Sequence, residues 1–413
     1  MSNNLEFQNE ITVELSTTDG DVVIRNCKTL KPQQGNEIVI GGALIVYEEL
    51  SVEGNLRCDR LELKTRDRVV VLGSLFVAKS VDARKGSIEV EKDLEARDIE
   101  AGATLNVGGN LKCTSAKAGA SIKVEGDAEA QRLTGGASVK IEGLCKVERV
   151  SGGGSVSIHG KIEADEFDAG GSGKAVRGYI KKVSVGGSFK AEEAIEIDDL
   201  DVGGSASVGS GSRVKNIDIG GTFKAEGDLE FGEIDVGGTV KIGGKARGAS
   251  IDVGGTVKVE GDLALTQGLD VGGTVAVEGN LSCDDKIKVG GTVKVEGRID
   301  TFRIIVGGEI SATYIKATDG FRIGKRAEVR GFVESGEILI RERARTDTLY
   351  GDDIRIEERA RVGNIYGRKV YIERDVIVEG EVLYTESIES ESGVSFGVEP
   401  KKVDALPPPE QLK

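Results

Sequence analysis

The chain contains a single histidine, His159, which is its most direct candidate for acid–base chemistry. An imidazole titrates near neutral pH and can act as the general base of an acyl-transfer reaction. His159 precedes Gly160 at a position where equivalent stretches of the chain carry glutamate, which predicts an outward, solvated side chain. An acyltransferase also needs a cleft for its acyl donor, and no insertion longer than a few residues interrupts the chain near His159. We therefore predict no catalytic residue.

Five cysteines suggest a disulfide or a metal site. Cys58, Cys113 and Cys283 each lie six residues after the valine of a V-x-G phrase, which predicts an inward, apolar slot. Cys113 and Cys145 lie about two repeats apart, roughly 10 Å at the spacing of neighbouring strands, whereas a disulfide needs Cα atoms within about 7 Å. The chain has no C-x-x-C motif. We predict buried free thiols, with no disulfide, metal or cofactor.

Three other patterns could bind ions. Stacked carboxylates can hold calcium between repeats, and an aspartate row precedes successive glycine pairs at Asp201, Asp218, Asp235, Asp252 and Asp270. The calcium-binding pattern G-G-x-G-x-D is absent, so we favour a solvated row, with cation binding left open. The glycine pairs resemble phosphate loops, but no helical periodicity follows them as a phosphate loop requires. An arginine cluster is interleaved with carboxylates, which predicts self-neutralisation, at Arg343, Arg345, Arg359 and Arg361.

These residues are positioned by an internal repeat. The phrase V/I-Gly-Gly recurs every 17 or 18 residues, at Val185, Val202, Ile219, Val236, Val253, Val271, Val289 and Val306. Within one period, apolar residues fall in pairs two apart, such as Val275 with Val277, and each pair lies six residues after the last. Two-residue alternation is typical of a strand with one buried face. Each period therefore predicts three short strands, joined at corners where glycine supplies a positive φ.

Three strands per period, stacked in parallel, predict an all-β fold: a triangular parallel β-helix, or β-solenoid. About twenty coils of 16–18 residues would give a rod of about 95 Å. Both inward positions are large, as in Val257 with Val259, which favours a right-handed helix. We divide the chain into an N-terminal segment with the first strands (1–37), a glycine-rich solenoid (38–320), an arginine-richer continuation (321–392) and a flexible, proline-containing tail (393–413).

The arginine-richer continuation contains distinctive sequence motifs. The phrases "IGKRAEVRG", "IEERARVGNIYGRKV" and "VIVEGEV" resemble the polymer-forming cytoskeletal family, the bactofilins. The resemblance implies a right-handed triangular β-helix that polymerises end to end without nucleotide. Bactofilins are usually far shorter and carry disordered tails on both sides, so the length of this chain is a departure from the family.

The bulk composition narrows the function classes. A net charge of −15 argues against nucleic-acid binding and against adsorption to an anionic membrane. The first residues lack a basic and an apolar region, and no apolar run approaches a membrane-spanning length. We therefore expect a cytoplasmic protein without direct membrane insertion.

The leading hypothesis is a structural protein whose partner is itself. A solenoid ends in unpaired strand edges, which add further strands unless they are capped. The candidate end-to-end assembly residues are Ile38, Val39, Ile40, Val376, Ile377 and Val378. Alternatives are a scaffold that binds a flagellar or envelope partner along its side, a hexapeptide-type acyltransferase and a carbohydrate-active β-helix. A protein partner could also bind the C-terminal tail.

Overall fold

The computed structural model describes residues 4–412. These residues form 47 β-strands and contain no α-helix; one short 3-10 helix spans Pro409–Gln411. The chain divides into two compact units, residues 1–205 and 206–413. Each unit is a stack of parallel strands, and the chain makes about 23 turns. The predicted parallel β-solenoid is confirmed.

The alternation of apolar and polar residues produces these strands. Val240, Val257, Val275 and Val293 follow one another in register on successive strands, and all four are completely buried. Thr256 and Lys258 flank Val257 and are less buried, since successive side chains of a strand point to opposite faces. Branched side chains stack well on such a pleated surface. The inward columns predicted from the sequence are therefore present.

Three strands complete one coil. In the second unit, β33 (Thr256–Val259) pairs with β30 (Thr239–Ile242) and β36 (Thr274–Val277). On the next side, β32 (Ser250–Val253) pairs with β29 (Leu229–Val236) and β35 (Leu269–Val271). On the third side, β34 (Leu263–Leu265) pairs with β31 (Ala246–Gly248) and β37 (Leu281–Val289). Every one of these pairings is parallel, so each coil is hydrogen-bonded to the coil before it and to the coil after it. The predicted three-sided coil is confirmed here.

The glycine corners have a different cause from the one expected. Among the described residues, the glycines of the V/I-Gly-Gly corners are not in the positive-φ region. A Cβ on Gly272 would instead lie 2.5 Å from the carbonyl oxygen of Gly254 in the preceding coil. The corner backbones of successive coils therefore stack directly on one another, and a side chain has no room between them.

The arginine-richer stretch uses another corner. Its strands are long, with β40 to β43 covering 12 to 15 residues each. One corner per coil is made by a non-glycine residue with a φ of 58° or 59°, at Arg326, Arg343, Arg359 and Asp375. The change from a glycine-rich to an arginine-richer sequence near residue 321 is thus a change of corner type within the same parallel stack.

Strand pairing begins before residue 38 and continues after residue 392. Leu5–Gln8 pairs with Val22–Arg25, and Thr12–Glu14 pairs with Thr29–Lys31. Within the segment expected to be a flexible tail, Ser395–Phe396 and Lys401–Lys402 are strands.

The strands of the first unit are β1 (Leu5–Gln8), β2 (Thr12–Glu14), β3 (Thr17–Thr18), β4 (Val22–Arg25), β5 (Thr29–Lys31), β6 (Glu37–Val46), β7 (Leu50–Val52), β8 (Asn55–Leu63), β9 (Arg68–Val71), β10 (Leu75–Ala83), β11 (Ser87–Val90), β12 (Leu94–Ala101), β13 (Thr104–Val107), β14 (Leu111–Lys112), β15 (Ser115–Ala118), β16 (Ser121–Val124), β17 (Ala128–Gly135), β18 (Ser138–Ile141), β19 (Cys145–Gly152), β20 (Ser155–Ile158), β21 (Lys161–Ala169), β22 (Ser172–Ala175), β23 (Arg177–Val185), β24 (Ser188–Ala191) and β25 (Ile195–Val202).

The strands that follow are β26 (Ser205–Val208), β27 (Ser212–Ile219), β28 (Thr222–Ala225), β29 (Leu229–Val236), β30 (Thr239–Ile242), β31 (Ala246–Gly248), β32 (Ser250–Val253), β33 (Thr256–Val259), β34 (Leu263–Leu265), β35 (Leu269–Val271), β36 (Thr274–Val277), β37 (Leu281–Val289), β38 (Thr292–Val295), β39 (Arg298–Val306), β40 (Glu309–Ile323), β41 (Glu328–Ile340), β42 (Arg345–Ile356), β43 (Arg361–Ile372), β44 (Ile377–Val378), β45 (Val382–Ser390), β46 (Ser395–Phe396) and β47 (Lys401–Lys402).

Candidate assembly surfaces

The first coil of the first unit has an open edge. Among the described strands, β1, β2 and β3 each pair on one side only, with β4, β5 and β6. Leu5 and Phe7 are in register with Val22 and Ile24 of the inward column. The latter two are buried, whereas Leu5 and Phe7 are half-buried, and nearby Ile11 is 78% exposed. We call this surface the first edge.

The last coil of the second unit also has an open edge. Within the described chain, β46 pairs only with β44 and β47 pairs only with β45. Phe396 is in register with buried Val378 and is itself half-buried. Val398, two residues further on, is 53% exposed. We call this surface the last edge; like the first, it presents apolar side chains beside an incomplete hydrogen-bond ladder.

Both edges carry exposed carboxylates, and the last edge also carries the exposed Lys401 and Lys402 of β47. At the first edge, Glu10 is exposed, and Glu6 and Glu14 form ion pairs with Arg25 and Lys31 of the next coil, at 2.8 and 3.0 Å. At the last edge, exposed carboxylates occur at Glu389, Glu391 and Glu399. Two chains that each carry a net charge of −15 repel one another at low ionic strength, and salt screens that repulsion.

The first predicted assembly stretch is one coil away from the first edge. Val39 and Ile40 pair with Thr17 and Thr18 on one side. On the other side, Ile38–Ile40 pairs with Leu56–Cys58. Ile38 and Ile40 are buried in the core. The expectation that this stretch supplies a terminal edge is therefore corrected.

The second predicted stretch is likewise internal. Ile377 and Val378 pair with Arg361 and Val362 on one side and with Ser395 and Phe396 on the other. Val376 is buried, and its carbonyl oxygen accepts a hydrogen bond from Ser395. Ile377 is 37% exposed because it points outward. The expectation that Ile377 lies in the last coil is wrong: it lies in the coil before it.

Sequence reasoning missed the residues of the true edges, although a signal existed. Leu5 and Phe7 precede Val22 and Ile24 by 17 residues, which is the common repeat step. The chain between them and the glycine-rich coils lacks the V/I-Gly-Gly phrase, so the first coils carry the apolar spacing without the corner motif.

His159 is the centre of a small hydrogen-bonded cluster in the first unit. Its Nδ1 atom lies 2.6 Å from Glu142 Oε2, and its Nε2 atom lies 3.0 Å from Ser157 Oγ. Hydrogen bonds from Lys140 and then His159 lower the pKa of Glu142 to about 2. The order carboxylate, imidazole, hydroxyl matches that of a nucleophilic relay, but such a relay also needs backbone donors for an oxyanion. The strand carrying Ser157 is paired on both sides, with β18 and β22, so its amides are committed to the ladder.

Of the three cysteines predicted to be inward, Cys58 and Cys283 are buried and Cys113 is only partly so. Cys145 is also buried, and all five cysteines are free thiols. Burial raises the pKa of Cys58, Cys113 and Cys145 to about 12, which keeps these thiols protonated and unreactive. Within residues 4–412, no group of three or more histidine, cysteine or acidic side chains could hold a metal ion.

The charged rows are on the surface. Asp218, Asp235, Asp252 and Asp270 stack in register, and Asp201 is exposed on an earlier coil. Lys288 pairs with Asp270 at 2.7 Å. In the arginine cluster, Arg345 and Arg361 are in register, Arg343 lies 3.4 Å from Glu342 and Arg359 lies 3.8 Å from Asp375. Exposed pairs of this kind contribute about 0–1 kcal/mol each.

One groove follows the side of the first unit. Its volume is about 970 Å³, and its floor includes Val77, Ala96 and Val147. One wall is a row of side chains in register whose charges alternate in sign: Glu95, Lys112, Glu129, Lys146 and Glu163. Alternating signs disfavour a uniformly charged ligand.

Comparison with protein families gives a match for one region of the chain, which spans the boundary between the glycine-rich solenoid and the arginine-richer continuation. Residues 252–349 match the bactofilin family, described as polymer-forming cytoskeletal. This segment is similar to a bactofilin domain. It comprises 98 of the 413 residues and lies within the second unit. The resemblance predicted from the sequence is confirmed for this segment. The domain and the solenoid fold together support a polymer-forming cytoskeletal protein.

No curated protein and no solved structure matches the chain significantly. Among the residues that the structure describes, no helix is long and apolar enough to cross a membrane.

Proposed function

We propose that this bactofilin-domain protein is a structural subunit that polymerises end to end, without nucleotide, through its first and last edges. The observation that carries the proposal is the partial exposure of inward-column residues at both edges. Leu5, Phe7 and Phe396 are half-buried, whereas their partners one coil further in are buried. Stacking another coil on either edge would complete both the hydrogen-bond ladder and the apolar column.

The energetics favour addition of a coil-like surface. Burial of apolar surface contributes roughly 25 cal/mol per Å², and strand edges readily accept further strands. The opposing contribution is electrostatic, since each chain carries a net charge of −15. Salt should therefore promote assembly.

The glycine corners support the proposed nucleotide independence. A phosphate-binding loop presents free backbone amides to the ligand. At the corner of Gly272 and Gly273, the two amides instead donate to Val253 and Gly255 of the preceding coil, at 2.9 and 3.1 Å. The same stacking leaves no cavity for a phosphate at this corner.

We infer a protein without catalytic activity that acts in the cytoplasm.

The test is sedimentation velocity and negative-stain microscopy of the purified chain between about 50 and 500 mM salt, with and without ATP or GTP. We expect assemblies that grow with salt and do not respond to nucleotide. A chain that stays monomeric throughout, or one that assembles only with nucleotide, overturns the proposal.

The groove of the first unit supports one alternative function, a scaffold that binds a partner along its side, such as a flagellar or envelope component. Its apolar floor and mixed-charge wall would suit an extended segment of mixed charge. Substitution of the exposed Lys146 of that wall by glutamate, which would make the local charge uniformly acidic, should weaken side binding and leave edge assembly unchanged, so the two functions can be separated.

A further inference from the structure

Four aromatic rings form a continuous row on the outward side of β40 to β43. The row comprises Tyr314, Phe332, Tyr350 and Tyr366, and successive ring centroids are 5.6, 6.2 and 6.5 Å apart. Each ring belongs to a residue directly before or after an inward, buried one; for example, Val333 follows Phe332 and Leu349 precedes Tyr350. We call this set the aromatic row.

Rings of the aromatic row are less exposed than is usual for outward side chains of a strand. Phe332 and Tyr366 are each only 5% exposed, whereas Phe302, an outward phenylalanine of β39, is 45% exposed. Stacking along the row covers the faces of the rings, and neighbouring side chains cover part of their rims. Glu334 accepts a hydrogen bond from the hydroxyl of Tyr314, and Glu381 accepts one from the hydroxyl of Tyr366 at 3.1 Å.

The C-terminal segment reaches the row from its far end. Lys401 and Lys402 pair in parallel with Leu383 and Tyr384, and the amide of Val403 donates to the carbonyl oxygen of Tyr384 at 2.9 Å. Leu383 is itself in register with Tyr366. The last strand is therefore the next member of the ladder that carries the aromatic row.

From there the segment returns along the row. Burial raises the pKa of the Tyr350 hydroxyl, and the nearby charges of Glu334, Asp352 and Glu410 raise it further. Glu410 is thus within electrostatic reach of Tyr350, whose coil lies three steps before that of Lys402, about 14 Å away at the spacing of strands. The eight residue-to-residue steps from Lys402 to Glu410 can span about 26 Å when extended, which is ample.

The segment has the composition for such a contact. Pro407, Pro408 and Pro409 follow Leu406, and Pro408 has the polyproline conformation, with φ −56° and ψ 141°. Leu406, Pro407, Pro409 and Leu412 are half-buried, whereas the preceding Asp404 and Ala405 are exposed. Aromatic grooves bind extended proline-containing segments because that conformation has little entropy to lose.

We propose that the aromatic row is a docking site for residues 403–412 and that, between molecules, the segment of a second copy occupies it. Both halves of the contact are on one chain, so an identical contact forms in trans when the exposed stretch at Asp404 and Ala405 swings away. The row lies on the side of the coils, apart from the last edge. The exchange therefore adds a link between copies that does not depend on edge stacking.

Crosslinking of full-length chains tests the exchange. Asp352→Cys places a thiol beside the row, and Glu410→Cys places one on the segment; a short bismaleimide joins thiols that lie close together. The chain with both substitutions should crosslink within itself. A mixture of the two single variants, one carrying a mass tag, should yield a tagged–untagged pair. Wild-type chains, whose thiols are mostly buried, give the background.

Each result has one meaning. If the double variant does not crosslink internally, the segment does not dock on the row. If it does, but the mixture gives only background, docking is confined to one chain and the second copy is excluded. Running the mixture in the Phe396→Lys background, where edge growth should be blocked, separates this link from end-to-end polymerisation.

Specificity is tested with matched variants. Phe332→Ala should reduce the interchain product by roughly tenfold, as expected for the loss of a stacked aromatic contact. Phe302→Ala, an exposed ring off the row, should leave it unchanged. A synthetic peptide of residues 403–412 should compete, and the same peptide with its prolines changed to glycine should not. Circular dichroism and thermal unfolding confirm that each variant is folded; equal effects of the two alanine variants overturn the docking site.

Discussion

Val378 and Phe396 are in-register partners in the last two coils of the second unit, yet only Val378 is fully buried. The difference arises because β44 has a strand on each side, whereas β46 has one on a single side among the described residues. An inward side chain in the last coil is a core residue that no further coil covers, so part of its surface stays exposed. The polymerisation proposal depends on this relationship.

Phe396→Lys should block polymerisation. The substitution places a charge in the column that the next molecule would have to bury, and burying an unpaired charge costs several kcal/mol. Because Phe396 is at the edge, the chain should remain folded. Sedimentation velocity at high salt should show wild-type assemblies and mutant monomers.

Ile377→Lys is the matched control. It is in the neighbouring coil, but its side chain points outward and is already 37% exposed. We expect normal assembly. If both lysine variants assemble like wild type, the last edge is not an assembly surface.

Val259→Asp should destabilise the second unit by roughly 4 kcal/mol. Val259 is completely buried between Ile242 and Val277, so the new carboxylate would have no water and no partner. Adjacent Glu260 is exposed, and Glu260→Ala should change the free energy of unfolding by less than about 0.5 kcal/mol. Urea unfolding followed by circular dichroism gives both values. Similar values for the two variants would contradict the inward and outward assignment.

Gly272→Ala should destabilise the corner by about 1–3 kcal/mol. The added Cβ would lie 2.5 Å from the carbonyl oxygen of Gly254, and both backbones are held by ladder hydrogen bonds. At Gly268, the nearest atom to an added Cβ is 3.8 Å away, so Gly268→Ala should be tolerated. Thermal unfolding of the pair distinguishes close backbone stacking from a general intolerance of corner substitutions.

Much of the fold could be predicted because the repeat of a solenoid is visible as a regular spacing in its sequence. The pairs Leu269 with Val271 and Val275 with Val277 are buried as predicted, since a two-residue alternation admits one inward face. The function of the corner glycines could not be predicted correctly. A sequence shows that glycine is required, but it does not show whether φ or an approaching backbone imposes the requirement.

The edges and the C-terminal segment were harder to predict for a different reason. Terminal coils are less regular, so Leu5 and Phe7 carry only the 17-residue spacing. A run such as Pro407 to Pro409 has no strand periodicity and looks like a free tail. The site where we propose that it docks is an aromatic row assembled from four separate coils, which no local pattern reveals.

Arg343→Val should destabilise the second unit, whereas Arg343→Gly should not. Arg343 turns its corner with a φ of 58°, a conformation that costs roughly 1–2 kcal/mol in most residues and more with a β-branched side chain. Glycine removes this strain and keeps the amide that donates to Glu358 at 3.0 Å. Urea unfolding of the two variants measures the difference. Equal stabilities would show that the corner relaxes freely.

Glu142→Gln should change how stability depends on acid pH. Lys140 first, and then His159, lower the pKa of Glu142 to about 2, below its ordinary value of 4.5. A carboxylate whose pKa is lower in the folded state contributes stability above its unfolded pKa, and that contribution is lost as the pH falls through the folded value. The melting temperature of wild type should therefore exceed that of Glu142→Gln near pH 6, and the gap should close between pH 4.5 and about 2. Other acids titrate in both proteins and cancel in the difference. Glu260→Gln, whose carboxylate lies near Lys258 at 3.5 Å, is the matched control without a histidine neighbour. A gap for Glu142→Gln that stays constant across this range would show that Glu142 is not held ionised by its two partners.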